Sequence, residues 1–570
     1  MRETFDSWLR ANPTALNHLD VWLNARADAA DDRGIRKVLD QLRRLYGCPF
    51  RSQPGLLNWL REHRAEVWAR AADASREGIT SATETVKAKP AAKPALAEIR
   101  FSRSRAEVEA IEAHGTYIVT CAQNNTEPEW DFLAALKVYA EERRARLIVI
   151  PIRYKNPTSR RDPQDATDRG YWWHDAFQEH LVEDELRVHS MLRIQADVSI
   201  QATAPQPLST LDSRSQDASA VYGHPQLQMR TVATPHRLLP KLLYTTGAVT
   251  RKNYSRTKAG NLATFHHSHA AVVIEVRGES FHLREVCWSS GNRNFTDLDR
   301  VYTPEGSHPA PPVRALVTGD EHAWFHSPEV RQATYEGPES IVAVLKPETI
   351  VRHDVLDGYS ISPWHGKKSL TRAAKARSGR DSLQRELDDC IRFIEATTPP
   401  GGRNVIVPSN HHDFLTRWLQ AGETAVDPLN AALYHWLKWR VLSEAEDGPN
   451  GVTHPDPFEL YASDKILVDA RFLKLDEPFQ VEDIELGMHG HLGPNGARGS
   501  VKNLSTIGAR SIIGHVHSPG IYQGVYAVGT SSNLRLDYNP GPSGWLNTHA
   551  VVHANGKRQM IHVIRGRWRG

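Results

Sequence analysis

Apolar and polar positions follow several different rhythms along this chain, and the changes of rhythm mark its organisation. From Phe5 to about Arg76, Leu9, Leu16, Leu19, Val21, Leu23, then Val38, Leu39, Leu42, Leu45, then Leu56, Leu57, Leu60 and Val67 recur near helical spacing. Pro and Gly punctuate these runs, so residues 1–78 predict a small helical domain. Arg36, Lys37, Arg43 and Arg44 cluster on one of its helices. A solvated face accounts for them better than a DNA-contacting one. Residues 79–98 lose the apolar period and become rich in Ala, Lys, Pro and Thr, which predicts a semi-rigid linker.

A second region runs over residues 99–312. "TYIVTCAQNN" reads as a strand and a loop, "EWDFLAALKVYAEERRA" as an amphipathic helix and "RLIVIPIRY" as a second strand. Strand, helix, strand is the order of an α/β domain. Cys121 reads as a core residue at a strand end. Later stretches, "LLYTTGAVTRKNYSRTKAG" and "HAAVVIEVRGESFHLREV", look β-rich. In the third region, residues 313–570, short apolar runs end abruptly in polar clusters. "VRALVTGDEH" ends in Asp320 and His322, and "ETIVRHDVLD" in Asp354 and Asp357. "RNVIVPSNHHD" ends in Asn410, His411, His412 and Asp413, "IELGMHGHLGP" in His489 and His491, and "ARSIIGHVH" in His515 and His517.

Composition narrows what these elements can be. The chain has 570 residues, more than one core usually holds, so about three domains are expected. Charged residues are 24% and hydrophobic residues 40%, the balance of a water-soluble globular protein. No apolar stretch approaches the roughly 18 residues that span a bilayer, and Met1–Trp8 lacks the pattern of a secretory signal. The 4 cysteines are scattered, which argues against a disulfide scaffold or a Cys-rich zinc site. A reducing cytoplasm is the expected compartment, and no membrane partner is expected. A formal net charge of +3 is too small to establish a polyanion partner. The 28 histidines are an excess that needs a destination.

The polar strand ends supply that destination. In an α/β sheet the carboxyl ends of the strands lie along one edge, so ligands far apart in sequence can meet there. Imidazole with carboxylate suits Mn, Zn or Fe better than Mg or Ca alone. One carboxylate can bridge two cations, and a neutral Asn oxygen fills a position without adding charge. Two cations about 3.5–4 Å apart can clamp both sides of an in-line attack at phosphorus. Taken singly, each such histidine is more often a satisfied loop or core residue than a ligand. Their number and order make coincidence a poor explanation.

The order resembles the calcineurin-like metallophosphoesterase family, which carries Asp-x-His, Gly-Asp, Gly-Asn-His-Asp/Glu, a lone His and Gly-His-x-His. Here these would be Asp320-Glu321-His322, His353-Asp354, Ser409-Asn410-His411-His412, His489 and Gly514-His515-Val516-His517. His353 and Ser409 replace glycines, and His412 replaces an acidic residue; none of these removes a ligand. The resemblance spans roughly residues 313–535 and includes nucleases of the Mre11/SbcD group. It implies a two-sheet α/β sandwich with helices outside for residues 313–570. It implies two divalent cations, manganese first and Mg2+, Zn2+ or Fe2+ as alternatives. Asp320, His322 and His517 would hold one cation, Asn410, His489 and His515 the other, and Asp354 would bridge them. His411 would stand at the scissile phosphate and protonate the leaving oxygen, work that imidazole suits near neutral pH. His491 and Asp357 are weaker ligand candidates. His326, His365 and His412 are candidate supports, and the His266, His267, His269 cluster belongs to the middle region.

The core motifs do not separate phosphodiesterases on DNA from small-molecule phosphatases or cyclic-nucleotide phosphodiesterases. A non-catalytic DNA-binding or assembly protein is the rival outside enzymes. The additions favour DNA. Basic residues mix with aromatics in Arg153, Tyr154, Lys155, Arg160, Arg161, Tyr171, Trp172, Trp173, in Arg251, Lys252, Tyr254, Arg256, Lys258, and in Lys557, Arg558, Arg565, Arg567, Trp568, Arg569. Such runs suit phosphate contacts and base stacking, although a solvated surface explains any one of them alone. The layout as a whole is similar to the first-step DNA-transfer proteins of T5-like bacteriophages. That likeness implies a phage-encoded, manganese-dependent DNase acting on host DNA in the host cytoplasm. The expectation is therefore a dimetal nuclease with DNA as partner and self-association left open.

Overall fold

Seven of the eight residues of Thr116–Gln123 are buried, as a strand covered on both faces requires. The helix Trp130–Glu142 follows and buries Phe132, Leu133, Ala135, Leu136 and Tyr139, one face at helical spacing. Arg146–Ile152 then returns parallel to the first strand. The strand–helix–strand unit expected from the sequence is therefore present. Ala270–Arg277 pairs antiparallel on the other side and forms a hairpin with Ser280–Cys287, completing a four-stranded sheet. The stretch expected to be β-rich from Leu242 onward is only partly so. Lys241–Thr245 is a strand, but Lys258–His266 is a helix whose first turn is capped by the Thr257 hydroxyl, accepting from the Gly260 N–H.

The computed structural model describes residues 115–154, 172–235, 238–422, 427–448 and 451–570, with isolated positions before them. The expected N-terminal helical domain and linker lie outside the described residues, as do Lys155, Arg160, Arg161 and Tyr171 of the first basic run. The chain divides into two units, Met1–Arg103 and Ser104–Gly570.

Within the larger unit, a six-stranded sheet runs in the order Ala470–Phe472, Arg403–Ile406, Thr349–Arg352, Ala315–Val317, Thr548–Val552, Arg558–His562. Its first four strands are parallel. Alternate residues point to opposite faces: Leu316 and Ile350 meet Val330 and Ile341 of the helical layer. Val317, Val351 and Val405 join the opposite core together with Ile484, Ile512 and Tyr526. Those last three belong to a ten-stranded sheet that also contains Met229–Val232, Lys241–Thr245 and Ser219–Tyr222. The two sheets thus share one core. The sequence division at residue 312 does not divide this sheet, because Gly520–Tyr522 pairs antiparallel with Met229–Val232. The fold is mixed α/β. Among the described residues no helix is long and apolar enough to cross a membrane.

Candidate metal centre

Ala315–Val317, Thr349–Arg352 and Arg403–Ile406 are parallel neighbours, so the loops after them leave from one edge. These loops carry Asp320 and His322, Asp354 and Asp357, and Asn410 and His411. The second sheet contributes the loops after Ile484–Glu485 and Ser511–Ile513, also parallel through a shared register. They carry His489, His515 and His517.

One ligand atom each from Asp320, His322, Asp354 and His517 lies within 4.8 Å of all the others, and all four residues are buried. His517 Nε2 is 2.8 Å from Asp320 Oδ2 and 3.2 Å from His322 Nε2. The Asp320 carboxylate also accepts the backbone N–H of His515, at 2.9 Å. That approach is why residue 514 is glycine: a Cβ there would sit 2.3 Å from Asp320 Oδ1. His489 Nε2 lies 3.2 Å from Asp354 Oδ2, the oxygen that His322 Nε2 approaches at 3.9 Å. The His515 ring is next, its centroid 5.4 Å from that of His489. His491 stands beside both.

Carboxylates and imidazoles shift one another in this cluster. Burial opposes ionisation of Asp354, yet His489 and His411 hold its carboxyl well below the usual range. Burial likewise opposes a charge on His322, but the Asp357 carboxylate, 2.7 Å from its Nδ1, raises its pKa to about 9. Asp354 Oδ1 and Asn410 Oδ1 are buried oxygens without a hydrogen-bond partner. A buried polar atom left so costs about 1–3 kcal/mol. A divalent cation removes the penalty, and this donor set of carboxylate, amide oxygen and imidazole fits Mn2+, Zn2+ or Fe2+.

Backbone strain marks the same residues. His322, Asp354, His515 and His517 have φ of 44°, 46°, 70° and 53°, the left-handed region that β-carbon-bearing residues avoid. Ordinary polar strand ends have no reason to adopt it four times in one cluster.

His411 is half-buried at the rim. Its Nδ1 is 2.6 Å from the Asp357 carbonyl oxygen, a bond the ring makes as donor, leaving Nε2 as the free nitrogen. Asp357 thus holds His322 through its carboxylate and His411 through its carbonyl. It also forms a second close group with these two. In sequence its only signal is its place three residues after Asp354. Glu321 and Arg352 form a buried pair at 2.9 Å behind the loops, and the sequence gives no hint of it beyond their positions inside the motifs. Trp545, unremarked in the sequence, packs edge-on against His517 with centroids 4.2 Å apart, and Tyr538 packs on Trp545.

The other histidines divide. His412 is buried against Phe458, and His365 lies against Tyr359 with Asp537 3.8 Å from its Nε2. His326 packs between Tyr335 and Phe393, away from the ligands. His267 is bonded to Tyr254 and to the Thr250 carbonyl within the middle region.

No protein-family model matches the chain, and no solved structure matches it. A protein of Escherichia phage T5, "Protein A1", is 31% identical over 470 residues, covering 79% of this chain and 82% of that protein. At that identity and coverage, this chain belongs to the family of phage T5 Protein A1.

Proposed function

We propose that this protein hydrolyses DNA phosphodiester bonds at a two-cation centre of the calcineurin-like metallophosphoesterase type. The observation that carries the reading is the buried convergence of Asp320, His322, Asp354 and His517, with His411 waiting at its rim. Asp320, His322 and His517 would hold one cation, Asn410, His489 and His515 the other, and Asp354 both. Divalent cations there would neutralise the phosphate and activate the attacking water.

The chain's own residues do the rest. The Asp357 carbonyl fixes the His411 ring by accepting from Nδ1, and the doubly protonated ring would give its Nε2 proton to the leaving oxygen and keep the one on Nδ1. Asp357 and Glu321 hold the loops that carry the ligands, so the geometry is set before substrate arrives. Exposed Lys367, Lys368, Arg380 and Trp364 lie on the segment that follows Asp357, and a polyanion is the substrate such a basic segment suits.

The test is digestion of linear and circular duplex DNA in EDTA, Mg2+ or Mn2+, wild type beside His411→Ala and Asp354→Asn. Metal-dependent loss of DNA in wild type alone is expected, with His411→Ala reduced about 10²–10⁴-fold. Intact DNA beside hydrolysis of p-nitrophenyl phosphate would move the reading to a small-molecule phosphatase. Absence of turnover on every phosphoester would end the enzyme reading.

A further inference from the structure

Where the metallophosphoesterase pattern has glycine before the bridging aspartate, this chain has His353. The ring does not point to solvent. His353 is 0% exposed, and it packs so closely under the Gly514 turn that a Cβ on that glycine would meet its Cγ at 3.0 Å. Its Nδ1 lies 3.3 Å from Nδ1 of His489. Its backbone carbonyl accepts the Glu321 N–H at 2.9 Å, so the strand end that bears it is tied to the Asp320–His322 loop.

A histidine that binds a cation through Nε2 keeps its proton on Nδ1 and needs an acceptor there; that partner sets the tautomer and the ring's direction. The acceptor is usually a carboxylate or a carbonyl. For His489, among the described residues, it is His353 Nδ1. We infer that His353 is a positioning residue for His489: it accepts the Nδ1 proton and so presents Nε2 to a cation beside Asp354. The inference rests on the two-cation reading above. It explains why so large a side chain is accepted at a crowded position, and it has a cost. His353 must then carry its own proton on Nε2, a buried atom with no partner.

Mn2+ titrated calorimetrically into chelator-stripped full-length protein tests this. Wild type is expected to take two ions. In His353→Leu one of the two sites should weaken about 10–100-fold, the scale of losing such a partner. His353→Asn, whose Oδ1 stands where Nδ1 stood, should bind close to wild type. Both variants lose the ring, so packing changes are common to them and only the acceptor differs. Equal binding by the Leu and Asn variants, or wild-type affinity in His353→Leu, overturns the inference while leaving the two-cation reading intact. Failure of wild type to bind any Mn2+ overturns that reading and the inference with it. Should His353→Leu not melt cooperatively, His353→Phe, ring-sized and without an acceptor, takes its place. The imidazole 15N shifts of the Zn2+-loaded wild type give a second decision, since a His489 ring protonated at Nε2 is incompatible with the proposal.

Discussion

Replacing Arg352 with methionine should weaken the fold and the metal centre together. Glu321 stands between Asp320 and His322, and Arg352 immediately precedes His353 and Asp354, so their contact joins the first two ligand loops. Both are 0% exposed. Arg352 Nη1 donates to Glu321 Oε1 at 2.9 Å and its Nε to Asn404 Oδ1 at 2.8 Å. The Tyr335 hydroxyl donates to the same carboxylate. Burial works against both charges, pulling Arg352 down and pushing Glu321 up. Glu321 nevertheless lifts Arg352 above its usual value, and Arg352 offsets part of the rise in Glu321. Methionine keeps an unbranched apolar stem but leaves the carboxylate without its cation, which costs about 3–5 kcal/mol for a buried pair. Unfolding entropy is about 2 cal/mol/K per residue, so the Ser104–Gly570 unit has about 1 kcal/mol/K. The melting midpoint should therefore fall by about 3–5 °C. The assay is a circular-dichroism melt of wild type, Arg352→Met and Arg352→Met/Glu321→Gln. The double variant should recover much of the loss, because the uncompensated charge is gone while Gln still accepts from Tyr335. A wild-type midpoint in the single variant, or a double variant no more stable than the single, would refute the reasoning.

Gly514→Ala places a Cβ 2.3 Å from Asp320 Oδ1. A displacement of about 1 Å at the ligands should cost about 10²-fold in phosphodiester hydrolysis, and unchanged turnover would show that the loop has room to spare. Removing metal with EDTA should lower the melting midpoint relative to Mn2+-saturated protein. Each site filled to about 100 times its Kd adds about 2.7 kcal/mol, or about 2–3 °C on the entropy scale above. Asp354→Asn should lose most of that increment, and a midpoint indifferent to Mn2+ in wild type would contradict the site. Glu285 is fully buried, and burial raises its carboxyl to about 8, against about 4.3 in an unfolded chain. The folded state then keeps a proton that the unfolded state releases. Stability is full below the lower value, falls as pH rises between the two, and levels above the upper. Glu285→Gln keeps the acceptor for the Met560 N–H and removes the ionisation. Its melting midpoint should fall less than that of wild type from pH 5 to 8, and parallel profiles would exclude Glu285 as a source.

The loops that carry the candidate ligands were legible because each follows a short apolar run, and such runs become strands whose carboxyl ends share an edge. Ala315–Val317, Thr349–Arg352, Arg403–Ile406 and Ser511–Ile513 all formed where the apolar pattern put them. Partnering was not legible, because pairing depends on residues distant in the chain. Thr548–Val552 enters the sheet antiparallel beside Ala315–Val317, and Met229–Val232 extends the sheet that carries the histidine loops. Nothing local to either strand encodes its neighbour. Supporting residues were hidden for a related reason. Asp357 holds two rings at once, His353 meets His489 across two sheets, and Trp545 closes on His517 from a Gly- and Pro-rich segment. A motif registers spacing along the chain, whereas these contacts exist only in the folded arrangement. The stretch read as β-rich up to Gly260 runs into the first turn of the helix Lys258–His266, whose start is marked by the Thr257 cap.

The spacing of His515 and His517 gains its meaning from the backbone. In an extended strand, residues two apart point the same way, and both rings would then face one cation. Here both residues are left-handed, with φ of 70° and 53°, at about 1–2 kcal/mol each for a residue with a β-carbon. Glycine would relieve that strain at either position, so the side chains themselves are what the turn retains. The consequence of the bend is visible in the partners. His517 Nε2 reaches Asp320 at 2.8 Å, whereas the His515 ring turns toward His489, 5.4 Å between centroids. One loop therefore sends its two rings to different partners, and Asp354, with φ of 46°, turns a carboxylate toward both His322 and His489. Strain of about 4–8 kcal/mol over the four left-handed residues is comparable to the net stability of a whole domain. A chain holds such a cost in one place when the arrangement it fixes does something that relaxed loops cannot, and converging buried imidazoles and carboxylates on one candidate metal centre is such a task.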